Sequence, residues 1–523
     1  MRALLVQAKS PPTYWSYEYS LPFTDYAAAL PPLGLATLAA LLPRHWELRI
    51  RDLHLGPLEE ADLAWADAVL VSGMLAQAES IRDVLRKARR MRKRTVVGGP
   101  AATTSPEAFP EADHVFLGEA EGRIATLVSA LEVPGTAAPR VLSPPDALRP
   151  DLRTSPVPRF DLLDLRSYAS LSVQASRGCP FQCEFCDIIE VFGRVPRLKS
   201  PDQLLAELEE LWRLGARGSL FFVDDNFIGN RREVAKLLPR LAAWQDAHGR
   251  PFDIYTEASL DLANEPALVE AMVAAGFSAV FVGIETPSAE ALESAGKKQN
   301  LRVDPAEAVR RLTAGGLEVF AGFILGFDTD GADIFDRHIE LVSSLPMPRA
   351  MVGLLLAVPG TALWRRLERE GRLRDEVNGD QFSRPNFVTA LPERTLLTGY
   401  RRVLATLYSA DGFYARCHRY LEEVRFPQSG LRRGWHKALV RAVWRIGIVG
   451  PRRAHFWKLV ARALRRGVPG LSHAVLLAIL GEHLVCYTEE VVLPRLDGAL
   501  ATITVESPAP AQACLEPQIA RTG

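Results

Sequence analysis

Arg177-Gly-Cys-Pro-Phe-Gln-Cys-Glu-Phe-Cys-Asp187 gathers three of the chain's six cysteines within eight residues, with three residues between the first pair and two between the second. The stretch 172–176 stands just before it and reads as the first strand of an alternating series, whose carboxyl end carries the loop. Five further strand-like runs follow at 219–223, 252–257, 279–284, 318–325 and 351–356. Amphipathic helices fit between them; residues 201–214 set Leu204, Leu205, Leu208 and Leu211 on one face. Six β/α units in a row predict a partial parallel barrel, and such barrels gather their functional groups at the carboxyl ends of the strands. The cysteine loop occupies the first of those ends.

Upstream, residues 1–132 form a second alternating series, with strands expected at 2–7, 46–53, 68–72, 95–98 and 114–117 and helices at 33–42 and 78–91. This pattern is α/β and predicts a doubly wound, Rossmann-like parallel sheet. Its ligand edge lies at the carboxyl ends of the strands, where Ser72, Gly73, Gly98, Gly99 and Gly118 cluster. Residues 133–165 are Pro-rich and aperiodic, as a linker is; 166–360 hold the barrel. Residues 361–505 read as a mostly helical domain and 506–523 as a flexible tail.

Composition excludes several classes. Sixty-two basic residues balance 62 acidic ones, so no global field draws in nucleic acid, which is not an expected partner. A spanning helix needs ~20 apolar residues. The best candidate, 471–485, is interrupted by His473, Glu482 and His483. No signal-peptide pattern opens the chain, and six cysteines are too few for a disulfide scaffold, so a reducing, cytoplasmic setting is expected. One segment departs from the balance. Between Pro427 and Gly470 lie eleven Lys or Arg and no Asp or Glu, interleaved with Trp435, Trp444, Phe456 and Trp457. Two main readings stay open for it: a solvated helical face packed on the barrel, or a surface resting peripherally on anionic membrane at its inner face, with nucleic acid a weaker rival for the same charge.

The spacing of Cys179, Cys183 and Cys186 limits the chemistry of the loop. Structural zinc is normally closed by four ligands, and no Cys or His follows within fifty residues. Electron-transfer clusters usually take four cysteines. Three thiolates on one loop instead suit three corners of a [4Fe–4S] cubane, leaving one iron open to chelate the amino and carboxylate groups of S-adenosylmethionine (SAM). Zinc and an electron-transfer cluster remain the competing readings at this point.

The cysteine spacing, Phe185 before the last cysteine, and the position after the first barrel strand resemble the radical SAM superfamily. The resemblance implies that Phe185 lies near the SAM adenine. It implies that Asp224, Asp225 and Asn226, ending the second strand, stand where the methionyl ammonium is held. Glu285, in Gly283-Ile-Glu-Thr-Pro287, falls in the segment that contacts the ribose or methionyl part. The first domain is similar to the cobalamin-binding domain found ahead of many such barrels, through Pro31-Pro-Leu-Gly34, Ser72-Gly-Met74, Gln77, Gly98-Gly-Pro100 and Gly118-Glu-Ala-Glu121. It implies cobalamin contacts at Ser72, Gly73, Gln77, Gly98, Gly99, Gly118 and Glu119. Asp52-Leu-His-Leu-Gly56 is one residue shorter than the cobalt-ligating motif and follows the second strand rather than the first, so His54 is not expected to be an axial ligand.

The whole layout is similar to cobalamin-dependent radical SAM methylases, among them the hopanoid C-2 methylases. That resemblance implies methyl transfer to an unactivated carbon of a small molecule or lipid, with an electron donor such as flavodoxin or ferredoxin. Two other functions stay open here: a cobalamin-assisted rearrangement without methylation, and a non-catalytic iron–sulfur or cobalamin-binding protein. No catalytic acid or base is assigned from the sequence.

Overall fold

The computed structural model describes residues 1–132, 139–142, 149–374, 382–424 and 435–503. The first sheet is built from β1 (Arg2–Gln7), β2 (Glu47–Asp52), β3 (Ala68–Ser72), β4 (Arg94–Gly98), β5 (His114–Phe116) and β6 (Val141–Leu142). All neighbours are parallel, in the order β2-β1-β3-β4-β5-β6. That order reverses between β1 and β3, the switch point at which doubly wound sheets bind ligands. β1 and β3 are buried almost throughout, as strands covered on both faces must be. Leu4, Val6, Val69, Val71 and Val97 pack on one side; Leu5, Leu70, Val96 and Phe116 pack on the other. β6 lies within 133–165, read from sequence as a linker. Two residues are too short to leave a periodic signal, and their place comes from pairing with Val115 and Phe116.

The second sheet runs through β7 (Leu171–Val173), then β10 (Gly218–Phe222), β11 (Phe252–Ala258), β12 (Phe277–Glu285), β13 (Glu318–Leu325) and β14 (Ala350–Leu354). A small antiparallel ribbon of β8 (Ser176–Arg177) and β9 (Arg197–Leu198) brackets the cysteine loop. The six larger strands are all parallel, ordered β14-β13-β12-β11-β10-β7, which makes the partial (β/α)6 barrel. Period-2 alternation assigns the faces. Ile254, Val280, Val282, Val319 and Ala321 pack against the helices, so Phe221, Tyr255, Glu257, Phe281, Gly283, Phe320 and Gly322 face the lumen.

Beyond residue 361 the described chain is mostly helical, and its core is continuous with that of the barrel through Leu396, Tyr400, Tyr408 and Phe413. Helix Gly467–Tyr487 continues through a π-turn to Thr502, and is long and apolar enough to cross a membrane. More than half of its most apolar stretch is buried inside the protein; His483 is fully covered, and Glu482 is paired with Arg452. The first domain is clamped between barrel and helices by the stretch after β1. There Tyr14 stacks on Tyr408 and bonds Thr488 at 2.7 Å, while Trp15 meets Phe281 and Phe320 in the lumen.

Candidate active site at the domain interface

The cysteine loop is fastened from both ends. Gly178 has φ +98°, and a Cβ there would lie 2.8 Å from the Gly193 carbonyl, so only glycine fits. Cys179 N–H donates to that same carbonyl, Glu184 N–H donates to Ala295 O, and Leu363 N–H donates to Glu184 O. Asp224 accepts from the backbone of Ala175 and Ser176, and Asp225 accepts from Gly178 at 2.7 Å. This explains why β7 ends at Val173 rather than at residue 176: a side-chain carboxylate takes the N–H groups that would have extended the ladder.

Sulfur donors complete the loop. Asn226 donates to Cys179 Sγ at 3.9 Å and Gln299 to Cys183 Sγ at 3.7 Å. Burial pushes all three thiols up, Cys186 to about 12. Loading a metal must therefore expel protons. Among the described residues, no three His, Cys, Asp or Glu side chains converge as a single metal ion would require. The donor set is thus three soft thiols without a closing fourth ligand. It does not fit tetrahedral zinc and fits the corners of a larger cluster.

Across the barrel mouth, Glu285 sits at φ +69° after a register shift between β12 and β13, a strained conformation of the kind concentrated at functional sites. Its carboxylate pairs with Lys297, whose ammonium also lies 5.9 Å from the centre of the Phe185 ring. Burial would lower the Lys297 pKa, but Glu285 and the thiols outweigh it and raise it. Phe185 packs edge-on to Phe327 at 6.1 Å. The structure thus brings together the three cysteines, Phe185, Asp225, Asn226 and Glu285. Asp224, only 1% exposed, supports the loop backbone instead of facing a ligand.

Lys297, Gln299 and Glu257 were not singled out from sequence, because no local motif announces them. Burial and the neighbouring Asp225 and Asp224 carboxylates push Glu257 up to about 8, against a smaller opposing pull from Lys297. Glu257 is therefore protonated in the folded chain between the ordinary carboxylate value and about 8. The unfolded chain gives up its proton earlier, so stability falls as pH rises across that window. Glu257→Gln is expected to flatten that fall and to be more stable than wild type above pH 8. Urea unfolding of the metal-free protein at pH 6 and above pH 8 checks this; equal slopes would remove the assignment.

On the first domain, Ser72 and Gly98 are register partners at the carboxyl edge, next to the switch point. A Cβ at Gly98 would meet nothing nearer than Phe116 at 3.7 Å. Gly99 has φ +86°, and a side chain there would run into Ser72 Oγ. The helix Pro100–Thr104 packs beside Ile188–Val191, which leads out of the cysteine loop, so this edge faces the barrel site. These bare strand ends fit close approach of a flat cofactor. Two expected contacts have other tasks. Gln77 spends its amide on Ala8 O and Met74 N–H, shaping the turn after β3. Glu119, 4% exposed, is held by Arg177 at 2.6 Å and Arg197 at 2.7 Å. Sequence could not show this, because both arginines lie far along the chain. His54 has both ring nitrogens engaged, one with Asp52 at 2.7 Å and one accepting from Ser10 N–H at 3.0 Å. It offers no nitrogen to cobalt.

A doubly wound sheet turned toward a six-stranded barrel with a three-thiol loop defines a radical SAM architecture with a cobalamin-type domain. The B12 binding domain matches residues 21–128, the Radical SAM superfamily matches 173–342, and a domain of unknown function (DUF4070) matches 361–494. The chain is 41% identical over 498 residues to an uncharacterized methyltransferase of Synechocystis sp., covering 94% of this chain and 92% of the relative. It is 35% identical over 501 residues to the hopanoid C-2 methylase of Rhodopseudomonas palustris, covering 94% of each. In fold it is similar to the cobalamin-dependent S-adenosylmethionine radical enzyme OxsB, with a TM-score of 0.58 at 16% identity over 96% of this chain and 80% of that one. The methyltransferase TsrM from Kitasatospora setae gives 0.57 at 15% identity over 89% and 99%. The chain belongs to the cobalamin-dependent radical SAM methyltransferases, and its cofactors are a [4Fe–4S] cluster, SAM and cobalamin.

Proposed function

We propose that this enzyme methylates an unactivated carbon of an apolar lipid, with the hopanoids as the leading class. The observation that carries the substrate class is the barrel lumen. Phe221 stacks on Tyr255 at 4.6 Å, and Phe281 and Phe320 stand 5.5 Å apart with Trp15 against them. The paired glycines Gly283 and Gly322 make room for their neighbours: the Phe281 ring lies over Gly322, and the Glu285–Lys297 pair lies over Gly283. Such aromatic walls bury hydrocarbon well.

In this reading Cys179, Cys183 and Cys186 hold the cluster, Asp225, Asn226 and Glu285 bind SAM, and Phe185 lies against its adenine. Ser72, Gly73, Gly98, Gly99 and Gly118 receive cobalamin, while Gln77 and Glu119 position the loops around it. When bound, the cluster and SAM supply one-electron cleavage of a sulfonium, and cobalamin supplies the methyl group. The protein's part is orientation and exclusion: Lys297 fixes Glu285, and the interface between the two sheets keeps water from the reacting carbon. The electron comes from a flavodoxin- or ferredoxin-type donor in the cytoplasm, and the chain works peripherally at a membrane.

The test is anaerobic turnover of reconstituted enzyme with methyl-deuterated SAM, a chemical reductant and a total lipid extract. Label is expected in the apolar lipid fraction, as one methyl per product. Label confined to water-soluble product would overturn the lipid assignment.

A further inference from the structure

Most of the molecule keeps its large apolar side chains inside; one surface does not. Among the described residues, seven of the sixteen exposed large hydrophobics lie between residues 440 and 468: Val440, Trp444, Ile448, Val449, Trp457, Leu464 and Val468. Their spacing makes them one face. Val440, Trp444 and Ile448 recur every four residues along Trp435–Ala442 and the π-helical turn Val443–Ile448. Trp457 Nε1 donates to Gly447 O at 2.8 Å, which lays the next helix, Arg453–Leu464, alongside that stripe. From Trp457 the face continues through Leu464 to Val468. Individual exposed hydrophobics need no explanation, but a contiguous apolar face on a folded chain marks an interaction surface.

Charge identifies the partner. The basic residues of this segment divide in two. Lys437 and Arg441 pair with Asp25, Arg452 with Glu482, and Arg462 with Glu422; these tie the helices to the rest of the protein. Arg445 is exposed and lies over the Phe23 ring at 5.6 Å. Arg453, Lys458 and Arg465 are exposed along the helix that carries Trp457 and Leu464. No Asp or Glu lies between residues 435 and 470 to answer them. An apolar face bearing tryptophans and rimmed by cations complements an anionic lipid surface. The aromatics would settle at the boundary, and Arg and Lys would meet head groups.

We propose that Val440, Trp444, Ile448, Val449, Trp457, Leu464 and Val468 form a docking face for an anionic phospholipid bilayer, with Arg453, Lys458 and Arg465 as its electrostatic rim. The face lies on its helices rather than across a membrane, since more than half of the apolar stretch of the long helix behind it is buried in the protein. It stands on this geometry alone and does not depend on which lipid is methylated.

The test is flotation of the full-length enzyme with vesicles of phosphatidylcholine alone and of phosphatidylcholine with one quarter phosphatidylglycerol. The protein is expected to float with the anionic vesicles at low salt, to stay free of the neutral ones, and to release as ionic strength rises. Val440→Ser/Trp444→Ser/Ile448→Ser should abolish flotation while SAM cleavage in detergent persists. Lys458→Ala/Arg465→Ala should weaken binding by roughly fivefold per charge. Indifference of the wild type to both vesicle types overturns the proposal. So does a wild-type dimer that the triple-Ser variant converts to monomer without any vesicle binding, which would assign the face to a second copy of the chain.

Discussion

Cys183→Ala is expected to lose bound iron and all cleavage of SAM, and Cys179→Ala and Cys186→Ala should do the same. Three thiols share one loop at the barrel mouth, and among the described residues no His, Cys, Asp or Glu joins them to complete a single-ion site. A variant with two thiols keeps too few anchors for a cubane. Cys417 is the control: it is fully buried in the carboxyl-terminal helices, and burial pushes its thiol far up, so it is an inert core residue. Cys417→Ala removes one sulfur from a packed core, at a cost of about 1 kcal/mol. It should keep iron and turnover. Iron and sulfide content after anaerobic reconstitution, with 5′-deoxyadenosine formed under dithionite, gives the answer. Deoxyadenosine from any of the first three variants would mean that the cluster is held elsewhere.

The sequence made this site partly legible because some of its logic is local. Cys179, Cys183 and Cys186 share one loop, and the alternation of Phe252–Ala258 or Glu318–Leu325 is visible without any partner. Strand ends were less legible wherever a side chain intervened. The strand before the cysteines stops early because Asp224, some fifty residues later, takes its N–H groups. Lys297 and Gln299 reach the site from the start of a short 3-10 segment, Lys297 as the residue that precedes it, with no periodic signal, and only the fold brings them to Glu285 and Cys183. The same holds for Glu119. The glycine-flanked Gly118-Glu-Ala-Glu121 resembles a cofactor loop, and from sequence its carboxylates can be assigned to the cofactor as readily as to protein. Their buried partners Arg177 and Arg197 are visible only once the two sheets are docked. The basic segment was legible as a charge imbalance, but its division into paired and outward-facing cations was not, because Asp25, Glu422 and Glu482 lie outside it.

Those buried carboxylates give the other large expected effect. Arg177 holds Glu119 at 2.6 Å and Glu121 at 2.9 Å, receives support from Gln174 at 2.8 Å, and is one residue from the glycine that starts the cysteine loop. Arg197, on the paired ribbon strand, takes the other side of Glu119. The first domain and the cluster loop are thus joined by one nearly dry ion network. Removing a single member leaves a charge buried without its partner, which costs about 3–5 kcal/mol. Arg177→Ala is expected to lose stability on that scale, seen as a lower urea midpoint at pH 7. Burial alone would raise the Glu121 pKa, but Arg177 and the Ser155 hydroxyl outweigh it and hold it below the ordinary carboxylate range. A depressed carboxyl contributes its stability above its unfolded value and loses it as pH falls through the folded one. The gap between wild type and Arg177→Ala should therefore close on acidification. Glu119→Gln keeps shape and most hydrogen bonds, and tests function where folding survives. If the network sets the distance between the two cofactor sites, this variant should still cleave SAM while forming less methylated product per deoxyadenosine. An unchanged ratio would reduce the network to a structural tie; a gap constant with pH would show that Glu121 does not titrate through Arg177.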